Sequence, residues 1–402
     1  MSKRFSHLAA TEKNAQWDAC ISRKQPIYQR ENEIRSEFWR DYNRLLHSKA
    51  YRRLKHKTQV FFAANNDHIC TRMEHVNHVS SVSYSIADYL GLNTELALAI
   101  AIGHDIGHAP FGHDGEFLLK ELAKKHYTGT FWHEQNGLFF ADHIEQLQNE
   151  QGQNESLNLT YAVRDGIVSH CGEIDEQSLR PRAGFIELEE ITEPNQTPFT
   201  WEACVVKVAD KISYLGRDLE DAIRLKIIQQ EEQKELQDIL DFYWGKKTNS
   251  ASNTLLIHSF STDLCRHSNP QEGILFSEKC FQTITRIKQF NYKYIYKHPR
   301  LLFYKKYAEL IINSIFETLD ELYVSDNMEE NIKNKKQIFP KLITSFEKWL
   351  TAYSDYSPKN TEQLPVYCIK ADSAAFRKCI IGFISSMSDS FALEMFEELT
   401  KF

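Results

Sequence analysis

Apolar side chains recur every three to four positions along most of this chain, and strand-like alternation is rare, so a mainly α fold is predicted. Residues 76–90 place Val76, Val79, Val82, Ile86, Tyr89 and Leu90 on one helix face. Gly91 ends that helix and Asn93 caps the next. Residues 94–106 are apolar almost all round, the mark of a central helix enclosed by others. Gly107, Pro110 and Gly112 then force a tight turn, and a helix capped by Asp114 is expected to run to Lys125. Further helices are predicted over residues 133–147, from Thr160 to His170, from Trp201 to Leu225, from about 275 to 325, and from Ala374 to Leu399. Residues 171–200, 245–255 and 353–364 read as loops, Leu255 to Phe260 as a short strand, and the charged run 229–237 as a solvated helix face.

Length and composition narrow the class. The chain has 402 residues, 42% of them hydrophobic and 26% charged, which fits a globular protein with ample core. A net charge of -7 makes no overall demand for a nucleic-acid or membrane partner, so an anion site must be a local basic patch. The eight cysteines are scattered without a CxxC pair, pointing to a reducing compartment. The N-terminal residues lack an apolar signal core and no run of about 18 apolar residues occurs, so a cytoplasmic location and no membrane span are expected.

Histidine changes the picture. His75, His78, His104, His108 and His113 fall within 39 residues, although the whole chain has 16. Three of them, with Asp105, follow the apolar run Leu96 to Ile102. Imidazole and carboxylate together suit a borderline divalent metal. Adjacent His104 and Asp105 can share one ion, His75 can return to it from the preceding antiparallel helix, and Asp210 is the best fourth ligand. A carboxylate in so apolar a helix is costly unless paired or ligating. The alternative is a helix-end hydrogen bond between His104 and Asp105, with Asp210 paired to a lysine. Asp210, Tyr214 and Asp218 recur at i, i+4 and i+8 and form one stripe. Arg53, Arg72 and Lys211 are candidate phosphate binders. The Lys-rich, Tyr-rich stretch 288–306 is either a nucleic-acid or nucleotide contact or an amphipathic helix with a solvated face.

Several segments carry a resemblance. They are His47-Ser-Lys-Ala-Tyr-Arg-Arg53 through Gln59, Thr71-Arg72-Met-Glu-His75, His104-Asp-Ile-Gly-His108-Ala-Pro-Phe-Gly-His113-Asp-Gly-Glu116, His133-Glu-Gln, Asp210-Lys-Ile-Ser-Tyr214 through Asp221, and Phe383 through Leu393. Through them the sequence resembles HD-domain metal phosphohydrolases, and within these the deoxyguanosinetriphosphate triphosphohydrolase-like family and its vertebrate dNTP-hydrolase relatives. The resemblance implies an all-α HD-domain helical bundle with a helical C-terminal extension. It divides the chain into an HD core with an N-terminal arm, residues 1–230, and a C-terminal region packing on it, residues 231–402. It is weakest from about 230 to 360. The Asp210-Lys211 step is closer to the vertebrate-type pattern.

The resemblance implies one divalent ion (Mn, Mg, Fe, Co, Ni or Zn) held by His75, His104, Asp105 and Asp210. It implies hydrolysis of a dNTP to a deoxynucleoside and tripolyphosphate. His113 and Glu116 match catalytic positions. His108 and His133 are further candidates, as catalytic, positioning or phosphate-contacting groups, or as plain core histidines. Tyr214 would pack where a 2′-hydroxyl would collide, Asp218 would accept the 3′-hydroxyl, and Gln59 would lie near the sugar or base. A homo-oligomer (tetramer or hexamer) and a nucleotide or single-stranded nucleic-acid effector are expected. Two other functions compete: an HD phosphohydrolase acting on another nucleotide phosphate ester, and a nucleotide- or nucleic-acid-binding protein without turnover.

Overall fold

Thr71 and Glu74 close a reciprocal cap: the Thr71 hydroxyl accepts the Glu74 amide at 3.3 Å, and the Glu74 carboxylate accepts the Thr71 amide at 2.8 Å. This cap launches the long helix that carries the first candidate ligand. The computed structural model describes residues 3–27, 31–62, 66–149, 151–170, 177–194, 196–245, 247, 252–323, 327–356, 365–370 and 372–401. Its helices run in the order α1 (Trp17–Ile21), α2 (Glu37–His47), α3 (Lys49–Arg53), α4 (Arg72–Leu90), α5 (Thr94–Gly103), α6 (Gly112–Tyr127), α7 (His133–Phe139), α8 (Tyr161–Ser169) and α9 (Trp201–Arg224). Then come α10 (Gln230–Trp244), α11 (Asn253–His267), α12 (Glu278–Asn291), α13 (Pro299–Asp320), α14 (Met328–Ile338), α15 (Pro340–Tyr353), α16 (Ser373–Ser385) and α17 (Asp389–Thr400). Two small antiparallel ladders complete the described residues: β1 (Gln146–Gln148) with β2 (Asn154–Ser156), and β3 (Ser178–Leu179) with β4 (Ile274–Leu275). The fold is mainly α.

Helix α5 is the hub. Leu96, Ala97, Ala99, Ile100, Ala101 and Ile102 are buried all round it, and α2, α4, α8 and α9 enclose it. Gly91 ends α4 with φ 84°, and the Asn93 side chain caps α5 by accepting the amides of Glu95 and Leu96 at 3.0 and 3.1 Å. The C-terminal helices α13 and α16 lie against α6. Among the described residues no single helix is long and apolar enough to cross a membrane.

Five expectations need correction. Residues 255–260 are not a strand but part of α11, because buried Leu256, Phe260 and Leu264 repeat at helical spacing. Helix 133–147 stops at Phe139, passes through a π-helical turn over Phe140–Ile144 and enters β1. Helix α6 starts at Gly112, after Phe111 in the left-handed region at φ 66°, so Asp114 lies in the first turn instead of capping it. The region 275–325 is α12, a π-helical turn over Tyr292–Tyr296, and α13, with a break at His298–Pro299 where proline opens the next helix. Residues 374–399 form two helices bent by 117°. Of the predicted loops, residues 171–176, 195, 246, 248–251 and 357–364 lie outside the described residues.

In the Lys-rich stretch, Lys293 and Lys297 lie over the rings of Tyr294 and Tyr292 at 4.3 and 4.5 Å.

Candidate metal and nucleotide site

The turn after α5 is pressed directly onto α7. A Cβ on Gly107 would meet the Gly137 amide nitrogen and the His133 carbonyl at 2.1 Å each, so only glycine allows the approach. The contact sets His133 beside the residues that leave α5, and the Asn136 side chain secures it by donating to the Gly107 carbonyl at 2.7 Å.

His104 is the C-cap of α5. Its Nδ1 sits 2.7 Å from the Ala101 carbonyl, which turns Nε2 into the site. His75, in the first turns of α4, places Nε2 2.8 Å from Asp210 Oδ1 on α9. The His104 Nε2 lies 4.0 Å from that oxygen and 3.5 Å from Asp105 Oδ1. Donor atoms of His75, His104 and Asp210 all fall within 4.8 Å of one another. Buried His104 Nε2 has no hydrogen-bond partner among the described residues. An orphaned imidazole nitrogen facing a carboxylate and a second imidazole fits a divalent ion of the first transition row or magnesium. Burial opposes ionisation of Asp210, but the hydrogen bond from His75 and the charges of His75 and His104 outweigh it and bring the carboxyl down to about 2.

Asp105 stands at the rim of this trio. Its Oδ1 is 2.9 Å from His108 Nε2, and its Oδ2 accepts Arg72 at 2.9 Å. Burial raises its pKa, yet His108, His104 and Arg72 together hold it well below the usual carboxylate range. Arg72 is itself buried, and its Nε and second amino nitrogen have no hydrogen-bond partner among the described residues.

A second cluster adjoins the first. The His108 and His133 rings stack at 3.7 Å. Glu116 joins two histidines: its Oε2 is 3.0 Å from His133 Nδ1 and 3.3 Å from His113 Nδ1. His133 is buried, whereas the His113 side chain is 73% exposed and open to a bound ligand. Burial lowers the His133 pKa, but Glu134 and Glu116 outweigh it and push the ring up to about 9. Burial likewise pushes Glu116 up, and His133 and His113 bring it well below its ordinary value.

The α9 stripe is present, with buried Asp218 and half-buried Tyr214 beyond Asp210. Tyr296, from the π-helical turn, donates its hydroxyl to Asp218 at 2.6 Å. Burial pushes Asp218 up to about 7. Gln59 holds a buried side-chain oxygen without a hydrogen-bond partner among the described residues, and its strap lies against Gly112. Lys211 is buried beside Asp210. Arg53 pairs with Glu145 at 3.0 Å, so the structure ties it to a protein carboxylate.

Two residues escaped the sequence reading. His170 ends α8 with Nδ1 2.7 Å from the Ile167 carbonyl, and its ring lies 5.0 Å from His104 and 5.3 Å from His133. Burial, with His104 and His133 nearby, lowers it to about 3. A histidine ending an apolar helix carries no sequence signal that separates it from a core residue. Tyr296 was visible only as one aromatic among several.

The HD domain family model matches residues 72–215, which span His75, His104, Asp105 and Asp210. A deoxyguanosinetriphosphate triphosphohydrolase-like protein of Caldanaerobacter subterraneus subsp. tengcongensis is 32% identical over 299 residues, 74% of this chain and 75% of the relative. The protein of that description in Desulfatibacillum aliphaticivorans is 30% identical over 370 residues, 91% and 88% of the two chains. Its counterpart in Pelagibacter ubique is 30% identical over 377 residues, 92% and 95%. The chain therefore belongs to the deoxyguanosinetriphosphate triphosphohydrolase-like family of HD-domain proteins.

Proposed function

We propose that this chain is a metal-dependent dNTP triphosphohydrolase that releases a deoxynucleoside and tripolyphosphate. The observation that carries the reading is the orphaned His104 Nε2, facing Asp210 and His75, with the Glu116 histidine pair alongside. His75, His104, Asp105 and Asp210 would hold the ion. When bound, such an ion supplies Lewis acidity and an acidified water.

The chain's own residues would do the rest. Departure of a 5′-alkoxide calls for a proton donor, and the exposed His113 ring is placed to give one. Glu116 orients His113 from 3.3 Å and holds His133 on its other side. His108, stacked on His133 and bonded to Asp105, keeps the two clusters in register. Arg72 and Lys211 add positive charge beside the ion site, and Arg53 would reach phosphate only by leaving Glu145. Asp218, already an acceptor for Tyr296, would accept a 3′-hydroxyl, with Tyr214 against the sugar and Gln59 at its edge.

The reading includes a homo-oligomer, supported by exposed Leu302, Phe303 and Leu310 on α13. The test of function is product analysis with each of the four dNTPs and GTP, with manganese or magnesium and with chelator. Tripolyphosphate from dNTPs, abolished by chelator, is expected. Pyrophosphate or orthophosphate as the first product, or binding without turnover, would overturn the reading.

A further inference from the structure

The last sixth of the chain contributes a corner that touches the catalytic turn. The α16–α17 corner carries Asp389, only 3% exposed. Its Oδ1 accepts the Phe111 amide at 2.8 Å, and its Oδ2 accepts the Thr58 amide at 2.8 Å. Phe111 is the pivot of the turn: it holds φ 66°, with His108 three residues before it and His113 two residues after. A non-glycine residue in that region is disfavoured and persists only when its surroundings hold it there.

A second tie runs in parallel. Buried Lys57 donates to the His108 carbonyl, and at 3.2 Å to the Ser385 carbonyl on the same corner. The Lys57 carbonyl in turn accepts the Arg72 amide at 3.0 Å, and Arg72 reaches Asp105. One carboxylate thus fixes two backbone segments together: the strap that carries Gln59 and the turn that carries His108 and His113. A carboxylate accepting two amide hydrogens is the acceptor that can satisfy both at once.

We propose that Asp389 is a positioning residue for the reaction, setting the His108–His113 turn through Phe111 and the Gln59 strap through Thr58. Both of its carboxylate oxygens are taken by backbone amides, so it acts on proton transfer through the turn. This rests on the dNTP hydrolase reading above.

The test uses Asp389→Asn and Asp389→Ala in the full chain. Asparagine keeps one acceptor oxygen and puts a donor where the other stood; alanine keeps none. Misplacing a reacting group by about 1 Å costs on the order of 100-fold. The expected result is a graded loss of kcat, about 10-fold for asparagine and about 100-fold for alanine. Metal content should be unchanged, and any rise in KM through the Gln59 strap should be smaller than the fall in kcat. Normal kcat per metal-loaded molecule in both variants, whatever their thermal stability, would overturn the proposal. A readout independent of turnover comes from histidine-labelled, magnesium-loaded protein. The His108 and His113 resonances should move in both variants while His75 stays in place. If they do not move, the proposal fails; if they move while wild type hydrolyses no dNTP, the functional reading alone fails.

Discussion

Tyr296 donates a 2.6 Å hydrogen bond to Asp218, and this contact joins the C-terminal half of the chain to the α9 stripe that begins at Asp210. The π-helical turn Tyr292–Tyr296 makes it possible, since the extra residue in a π turn swings a side chain off the regular helix face. Hydrogen bonds to a charged group contribute about 1.5–3 kcal/mol. Tyr296→Phe should therefore lower kcat/KM for a dNTP by about 10- to 100-fold with metal content unchanged. It should also move the Asp218 pKa higher, since the phenol opposes the effect of burial. Steady-state kinetics with elemental analysis checks the first part, and the pH dependence of kcat/KM checks the second.

His104→Ala should lose bound metal and turnover while the helices survive. Asp105→Ala should lose both as well, and it should also unfold more easily. It leaves Arg72, itself only 1% exposed, as an unpaired charge, and breaking a buried pair costs about 3–5 kcal/mol. Denaturant midpoints and metal content separate the two variants. Full metal in either would remove that residue from the ligand set.

His113→Ala should lose about 10²–10⁴ in kcat and keep metal and dNTP binding. Glu116→Ala should lose at least as much, because one carboxylate serves both His113 and His133. A near-normal kcat in His113→Ala would shift the proton to His133 or His108.

Tyr214→Ala should narrow the gap between dGTP and GTP turnover more than it affects metal content. An unchanged ratio would take Tyr214 out of the sugar site.

His133 sets a pH dependence of stability. Its folded pKa, about 9, lies above the ordinary 6.5. The contribution is therefore complete below about pH 6.5 and is lost as pH rises through about 9, with a span on the order of 3 kcal/mol. In chelator-treated protein, unfolding free energy should fall across that window. In His133→Gln the fall should be shallower, and equal slopes would contradict the assignment.

The sequence exposes what is local. Gly91, Asn93 and the all-apolar run fix α4 and α5, and the turn they lead to already carries His104, Asp105 and His108. The α9 stripe is legible because i, i+4 and i+8 share a helix face. What escaped depends on packing across the chain. Tyr296 meets Asp218 over 78 residues, and His170 joins His104 only because α8 packs on α5. Residues 255–260 are ambiguous in sequence because a short apolar run suits a strand as well as a buried helix face. His113 and His133 looked like separate candidates, and only the fold shows that Glu116 joins them.

The α16–α17 corner also has a consequence for how the protein is made. The bonds from Thr58 to Asp389 and from Lys57 to Ser385 bridge 331 and 328 positions. Closing so long a loop is entropically expensive and slow relative to local helix formation. A growing chain can thus assemble α4, α5 and α9 with every candidate ligand in place while the His108–His113 turn is still unpinned. The turn is pinned only when α16 and α17 dock, so hydrogen exchange during refolding should protect the Phe111 amide no earlier than α17. Earlier protection would mean that the turn sets without its C-terminal latch.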